Sequence, residues 1–149
     1  MIQAKDIMTH DVVTIEETTP VSEIAQILND KRISGVPVLN PMKEVVGIVC
    51  ESDLIDQTKK FHIPTVVNLM GVIIFLESGK KFEKELKKTL GLVARDIMSS
   101  PVESVTPEAS IEEIATLMSE HHIHSIPVLR NKVLVGIVGK KDLVQSLVR

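Results

Sequence analysis

Ala4-Lys5-Asp6-Ile7-Met8-Thr9 returns as Ala94-Arg95-Asp96-Ile97-Met98-Ser99, 90 residues further along the chain. The same offset sets Glu23-Ile24-Ala25 against Glu113-Ile114-Ala115 and Pro37-Val38-Leu39 against Pro127-Val128-Leu129. One residue is then lost, and Val46-Gly47-Ile48-Val49 matches Val135-Gly136-Ile137-Val138, with Asp53-Leu54 opposite Asp142-Leu143. Of 47 aligned positions 18 are identical. Chance supplies only a few, so the chain carries a duplicated unit of about 50 residues.

Each copy reads as β-α-β-β-α. A first strand is expected at Val12-Val13-Thr14-Ile15 and at Val102-Glu103-Ser104-Val105. The helix that follows shows apolar residues at i, i+3, i+4 and i+7: Val21, Ile24, Ala25, Leu28 and Ile111, Ile114, Ala115, Met118. Thr19 followed by Pro20 reads as its start in copy one, and Ser110-Ile111-Glu112-Glu113 as a capping box in copy two. Two strands come next, Val36-Pro37-Val38-Leu39 and Val45-Val46-Gly47-Ile48-Val49, joined by a turn carrying Asn40-Pro41. A second helix opens near Ser52 and near Lys141. The strands are almost continuously apolar, which suits a sheet covered on both faces. One copy cannot supply that cover, whereas two can, packing sheet against sheet. The fold class is α/β (α+β), with two such motifs packed about a pseudo-twofold axis. The organisation is motif one over residues 1–57, an insert over 58–93 with an amphipathic helix around Phe82, Leu86 and Leu90, and motif two over 94–149.

Composition narrows the function. The chain has 149 residues, 44% of them hydrophobic and 25% charged, a globular balance. Only three residues are aromatic, all Phe, and Phe61, Phe75 and Phe82 fall in the insert. The core is therefore aliphatic, and single-strand nucleic acid binding, which stacks bases on rings, is disfavoured. A net charge of −3 offers no basic field for a phosphate backbone. The single cysteine, Cys50, has no intramolecular partner and suits a reducing compartment. The N-terminus turns polar too soon for a signal peptide, and the apolar stretch around 65–76 is too short to span a membrane. A cytoplasmic protein is expected. No nucleophile–base pairing, paired-carboxylate motif or glycine-rich phosphate loop points to an enzyme.

The repeated series, Asp-Ile-Met, then Gly-Val-Pro-Val or Ser-Ile-Pro-Val, then Gly-Ile-Val-x-x-x-Asp-Leu, resembles the CBS domain, named for cystathionine β-synthase. Two copies resemble a stand-alone CBS pair (a Bateman module). The resemblance implies a non-catalytic regulatory module, two clefts between the motifs, and a homodimer. It also implies an adenosine ligand (AMP, ADP, ATP or S-adenosylmethionine), energy sensing, and an unknown partner protein that is regulated. No cofactor is required.

The family's Gly-h-h-Thr/Ser-x-x-Asp stretch, where h is apolar, assigns ribose binding to Asp53 and Asp142. A carboxylate can accept from both vicinal hydroxyls. An Asp in a first helical turn can equally serve the helix dipole alone. At the family's hydroxyl position stand Cys50 and Gly139. The thiol is a weak donor and reads also as a small buried hydrophobe. Gly139 can bring its backbone N–H to a phosphate. Lys140 and Lys141 precede Asp142, where copy one has Glu51 and Ser52. They read as phosphate ligands or as a solvated pair. His124 aligns with a phosphate-contacting position of the family, where copy one has Ser34. His121, His122 and His124 match no standard zinc spacing. An adenine slot is expected from the first strands, Thr14 and Ser104 included, and from the turns that hold Ile33, Pro37 and Pro127. The alternative is a dimerisation or interaction module whose clefts bind no nucleotide strongly.

Overall fold

The computed structural model describes residues 1–59 and 92–148. The chain runs α1 (Ala4–Ile7), β1 (Ile15–Glu16), α2 (Val21–Lys31), β2 (Gly35–Leu39), β3 (Val45–Cys50) and α3 (Glu51–Lys59). It continues with α4 (Ala94–Ile97), α5 (Ile111–His121), β4 (Ser125–Arg130), β5 (Val133–Gly139) and α6 (Lys140–Ser146). Most of the expected insert, with its three Phe and its amphipathic helix, lies outside the described residues.

In motif one β1 runs parallel to β2, and β2 pairs antiparallel with β3. Motif two repeats this with β4 and β5, while Val105 alone bridges Val128 in place of a first strand. The register is conserved to the residue. Ile15 faces Val38 as Val105 faces Val128, and both hairpins shift register at the same point, Val38/Leu39 and Val128/Leu129. The expected four-residue first strands shrink to two residues and one bridge. Val12 and Val13 leave the sheet and line a cleft instead.

The hairpin turns differ. In motif one the Asn40 side-chain oxygen accepts from the N–H groups of Met42 and Glu44. In motif two Asn131 and Lys132 both have positive φ, as a two-residue hairpin loop that follows strand twist requires.

Apolar periodicity puts α2 and α5 where expected, with Ile24, Leu28 and Ile114 almost wholly buried. Their starts differ from expectation. Pro20 is the residue before α2, and the Thr19 hydroxyl accepts from Glu16 N–H, tying a turn rather than the helix. Ser110 does cap α5, accepting from Glu113 N–H at 3.1 Å. Both helices end on a non-glycine left-handed residue, Arg32 and His122, each at φ 53°.

The motifs are joined by exchange of their opening segments. Ala4 and Lys5 donate to the carbonyls of Ala109 and Pro107, so α1, from motif one, docks on motif two. Ala94 and Arg95 donate to Thr19 and Glu17, so α4 docks on motif one. Ala94 and Ile97 belong to the apolar cluster around Ile24 and Leu28, and Ala4 belongs to the one around Ile114 and Ile126. The segment beyond each strap adds an edge bridge, Thr9 to Ile137 and Ser99 to Ile48. Met98 then lies over Gly47 and Met8 over Gly136, where any side chain on the glycine would collide with the methionine. Each strap is tied by its aspartate: Asp6 Oδ2 accepts from Gln3 N–H at 2.8 Å and Asp96 Oδ2 from Val93 N–H at 2.9 Å. No helix of the described residues is long and apolar enough to cross a membrane.

Candidate functional site

The sheets approach each other where β2 and β4 begin. There the hydroxyls of Ser34 and Ser125 are 3.0 Å apart. Backbone N–H groups at the starts of the second helices reach the same corner: Glu51 donates to Ser34 O and Lys140 to His124 O. The geometry brings the end of each hairpin against the loop that precedes it, and a cleft of about 850 Å³ opens between the motifs beside this corner.

One wall comes from motif one: Thr9, Asp11, Val12 and Val13 from the strap, Arg32 to Gly35 from the end of α2, and Glu51. The other comes from motif two: His124 and Ser125, Ile137, and Gly139 to Asp142, with Val144 and Gln145. Among the residues expected at a ligand site, the cleft gathers Gly139, Lys140, Lys141, Asp142, His124 and Ile33. The others lie elsewhere. Ser104 lines a separate hollow of about 250 Å³ with Val45, Val46 and Val102. Pro37 and Pro127 are inside the sheets, opposite Ile48 and Ile137. Thr14 is exposed just before β1. Asp53 and Cys50 sit at the pseudo-equivalent position across the axis.

Sequence reasoning missed Thr9, Asp11 and Arg32. The first two follow the repeated Asp-Ile-Met, but their role needs the other motif as partner. Arg32 had a local signal: it ends α2 directly before Ile33.

Asp53 and Asp142 do the same backbone work as the strap aspartates. Asp53 Oδ2 accepts from Cys50 N–H at 2.7 Å, and Asp142 Oδ2 from Gly139 N–H at 2.8 Å. Part of each carboxylate is therefore structural, a cap on the helix start. The two differ in the second oxygen. Asp53 Oδ1 accepts from the Ser99 hydroxyl at 3.2 Å. Thr9, the counterpart of Ser99, makes no such bond, and Asp142 Oδ1 has no partner among the described residues. Burial raises the Asp53 carboxyl above the usual carboxylate value, opposed by the bonds from Cys50 N–H and Ser99. Burial, with the charges of Asp53 and Glu51, pushes the Cys50 thiol up to about 12. That thiol stays protonated at neutral pH and packs against Gly35 as a small apolar group.

The cations of the cleft make no ion pair among the described residues. The ion pairs among the described residues are His121–Glu103 and Arg130–Glu108, and neither touches the cleft. Arg32, Lys140 and Lys141 are exposed, and they stand beside an apolar lining from Val12, Val13, Ile33, Ile137 and Val144. No group of three or more metal-ligating side chains occurs among the described residues. The corner can thus take a flat apolar body, accept hydrogen bonds at Asp142, and hold an anion.

The CBS domain model matches residues 4–60 and 94–149. The chain is 30% identical to protein MJ1426 of Methanocaldococcus jannaschii, an alignment that covers 97% of this chain and 90% of that protein. Its fold is similar to CBSX2, solved in complex with AMP, at a TM-score of 0.73 and 22% identity, covering 99% of this chain and 97% of that one. It is also similar to the CBS domain pair of protein MJ0100, solved with 5′-methylthioadenosine and S-adenosyl-L-methionine. That match has a TM-score of 0.71 at 20% identity, covering 99% and 96%. The family model matches both copies of the duplicated unit, and the chain belongs to the CBS domain family.

Proposed function

We propose that this CBS pair is a regulatory, non-catalytic module that binds an adenosine ligand in the cleft between its motifs and conveys occupancy to a partner protein. The observation that carries the reading is the meeting of Asp142, Lys140, Lys141 and His124 with an apolar lining in one cleft of about 850 Å³. A carboxylate oxygen with no protein partner suits ribose hydroxyls, and charge-assisted bonds of that kind are worth about 1.5–3 kcal/mol each. CBSX2 with AMP, and the MJ0100 pair with two adenosine derivatives, support the same ligand class. Each wall comes from a different motif, so a ligand bridges them and occupancy can alter how they sit against a partner.

Thermal unfolding with AMP, ADP, ATP and S-adenosylmethionine tests this. A ligand present at 100 times its Kd adds about 2.7 kcal/mol of stability. Asp142→Asn keeps an acceptor for Gly139 N–H and should weaken that gain. A chain that shows no shift with any of the four at millimolar concentration is not an adenosine sensor, and the interaction-module reading takes over.

Self-association belongs to the same proposal. Ile55 on α3 and its counterpart Val144 on α6 are 57% and 54% exposed, and Leu147 is 73% exposed. Sedimentation should show a dimer that Ile55→Glu dissociates.

A further inference from the structure

The repeat creates two pseudo-equivalent positions, Gly139-Lys140-Lys141-Asp142 and Cys50-Glu51-Ser52-Asp53. They share a backbone and differ in almost every group a ligand would touch. We infer that the chain takes one phosphate-bearing ligand, at the Asp142 position alone, and that the Asp53 position is a closed joint between the motifs. The inference rests on the nucleotide reading above and deepens it by fixing the ligand's charge and number.

Three observations separate the positions. The first is the state of the carboxylate. Asp53 has both oxygens engaged by the protein, by Cys50 N–H at 2.7 Å and by the Ser99 hydroxyl at 3.2 Å. A ribose there would have to displace a bond that ties the motif-two strap to motif one. Asp142 lines the cleft with one oxygen engaged and the other without a partner among the described residues.

The second is space. A side chain begun at Gly139 would meet only ordinary contacts, the nearest being Asp142 Oδ2 at 3.5 Å. The floor of that position is bare backbone. At the other position Cys50 occupies the same place, and its sulfur lies 3.0 Å from where a side chain on Gly35 would start. The thiol fills the corner that glycine leaves open.

The third is charge. Lys140, Lys141 and Arg32 face the cleft with no carboxylate within ion-pair distance among the described residues. Their counterparts are Glu51, Ser52 and His122. A phosphate gains from three permanent cations at one position. The matching places of the other position hold an acid, a serine and a histidine, with no permanent cation. Asp11 and Glu51 also border the open cleft, so discrimination follows from where the cations stand beside Asp142, not from net charge.

Isothermal titration of the full chain with AMP and with adenosine, which lacks the phosphate, separates the outcomes. One AMP per chain, bound at least tenfold tighter than adenosine, is expected, with that advantage lost in Lys140→Ala/Lys141→Ala. Grafting the open position onto the closed one, Cys50→Gly with Glu51→Lys and Ser52→Lys, together with Ser99→Ala to free Asp53 Oδ1, should raise the count to two per chain. Two AMP per wild-type chain would overturn the inference and leave the proposed function standing. Adenosine binding as tightly as AMP would overturn the phosphate assignment. A folded graft that stays at one site would overturn the role given to these residues. Silence towards AMP, ADP, ATP and S-adenosylmethionine alike would remove the proposed function itself.

Discussion

Motif one and motif two share residues at many positions that hold the chain together and differ at several that build the cleft. The identities include Ala4/Ala94, Asp6/Asp96, Ile24/Ile114, Gly47/Gly136 and Leu54/Leu143, which are core, cap or close-approach positions. The differences include Arg32/His122, Ser34/His124, Cys50/Gly139, Glu51/Lys140 and Ser52/Lys141. All five pairs bring residues to the corner where the sheets meet. The polar character of the cleft is therefore set mainly at positions where the copies differ. An aspartate that recurs in both copies belongs first to the frame, since Asp53 and Asp142 each tie a helix start before either can meet a ligand.

The sharpest way to break this comparison is to cut the same side chain from both cores. Ile24→Ala and Ile114→Ala each remove a side chain with no exposure, and each should cost about 2–5 kcal/mol in urea unfolding. Because each strap finishes the other motif's core, both variants should lose structure in one cooperative transition. Two resolved transitions would show that the motifs are independent. Next come Gly47→Ala and Gly136→Ala. Each pushes a methyl into Met98 or Met8, and overpacking of this kind costs about 1–3 kcal/mol. Equal losses would confirm that the two strap contacts are equivalent.

Ser110→Ala sharpens a difference instead. It removes the hydroxyl that accepts from Glu113 N–H and should cost about 1 kcal/mol. Pro20→Ala at the matching place removes no side-chain cap and should cost less.

The smallest effect is a pH dependence at Asp53. Its carboxyl is raised from 3.8 by burial, so the folded state holds the proton more tightly than the unfolded one. Its contribution is full below 3.8 and is lost as pH climbs through the raised folded value. Asp53→Asn keeps an acceptor for Cys50 N–H and removes the ionisation. Melting temperatures should show the variant gaining on wild type as pH rises through the carboxylate range. A gap that moves the opposite way would mean that the Ser99 and Cys50 bonds outweigh burial.

Much of this architecture could be read from the residues alone. Apolar spacing marked α2 and α5, and the offset of 90, falling to 89 after the deletion, set both hairpins in register. The straps α1 and α4 are not legible as helices, because four residues carry no period, and their partners lie about 75 to 105 residues away in the chain. The first strands are shorter than their apolar runs, because Val12 and Val13 line the cleft and Val13 also packs on the core, outside the sheet. At the site the local run Gly139 to Asp142 was legible, with His124 beside it. Thr9, Asp11 and Arg32 were not, since a cleft with walls from two motifs is a property of their docking. Pro37 and Pro127 stand in a repeated motif inside the sheets and are not among the residues that line the cleft.

Until Ala94 and Ile97 leave the ribosome, the first motif lacks two members of the apolar cluster around Ile24 and Leu28. Its own strap, meanwhile, has no second motif on which to settle. A nascent chain of this protein therefore carries an open apolar seam through most of its synthesis. It closes only when the second copy has emerged far enough for the two to clasp.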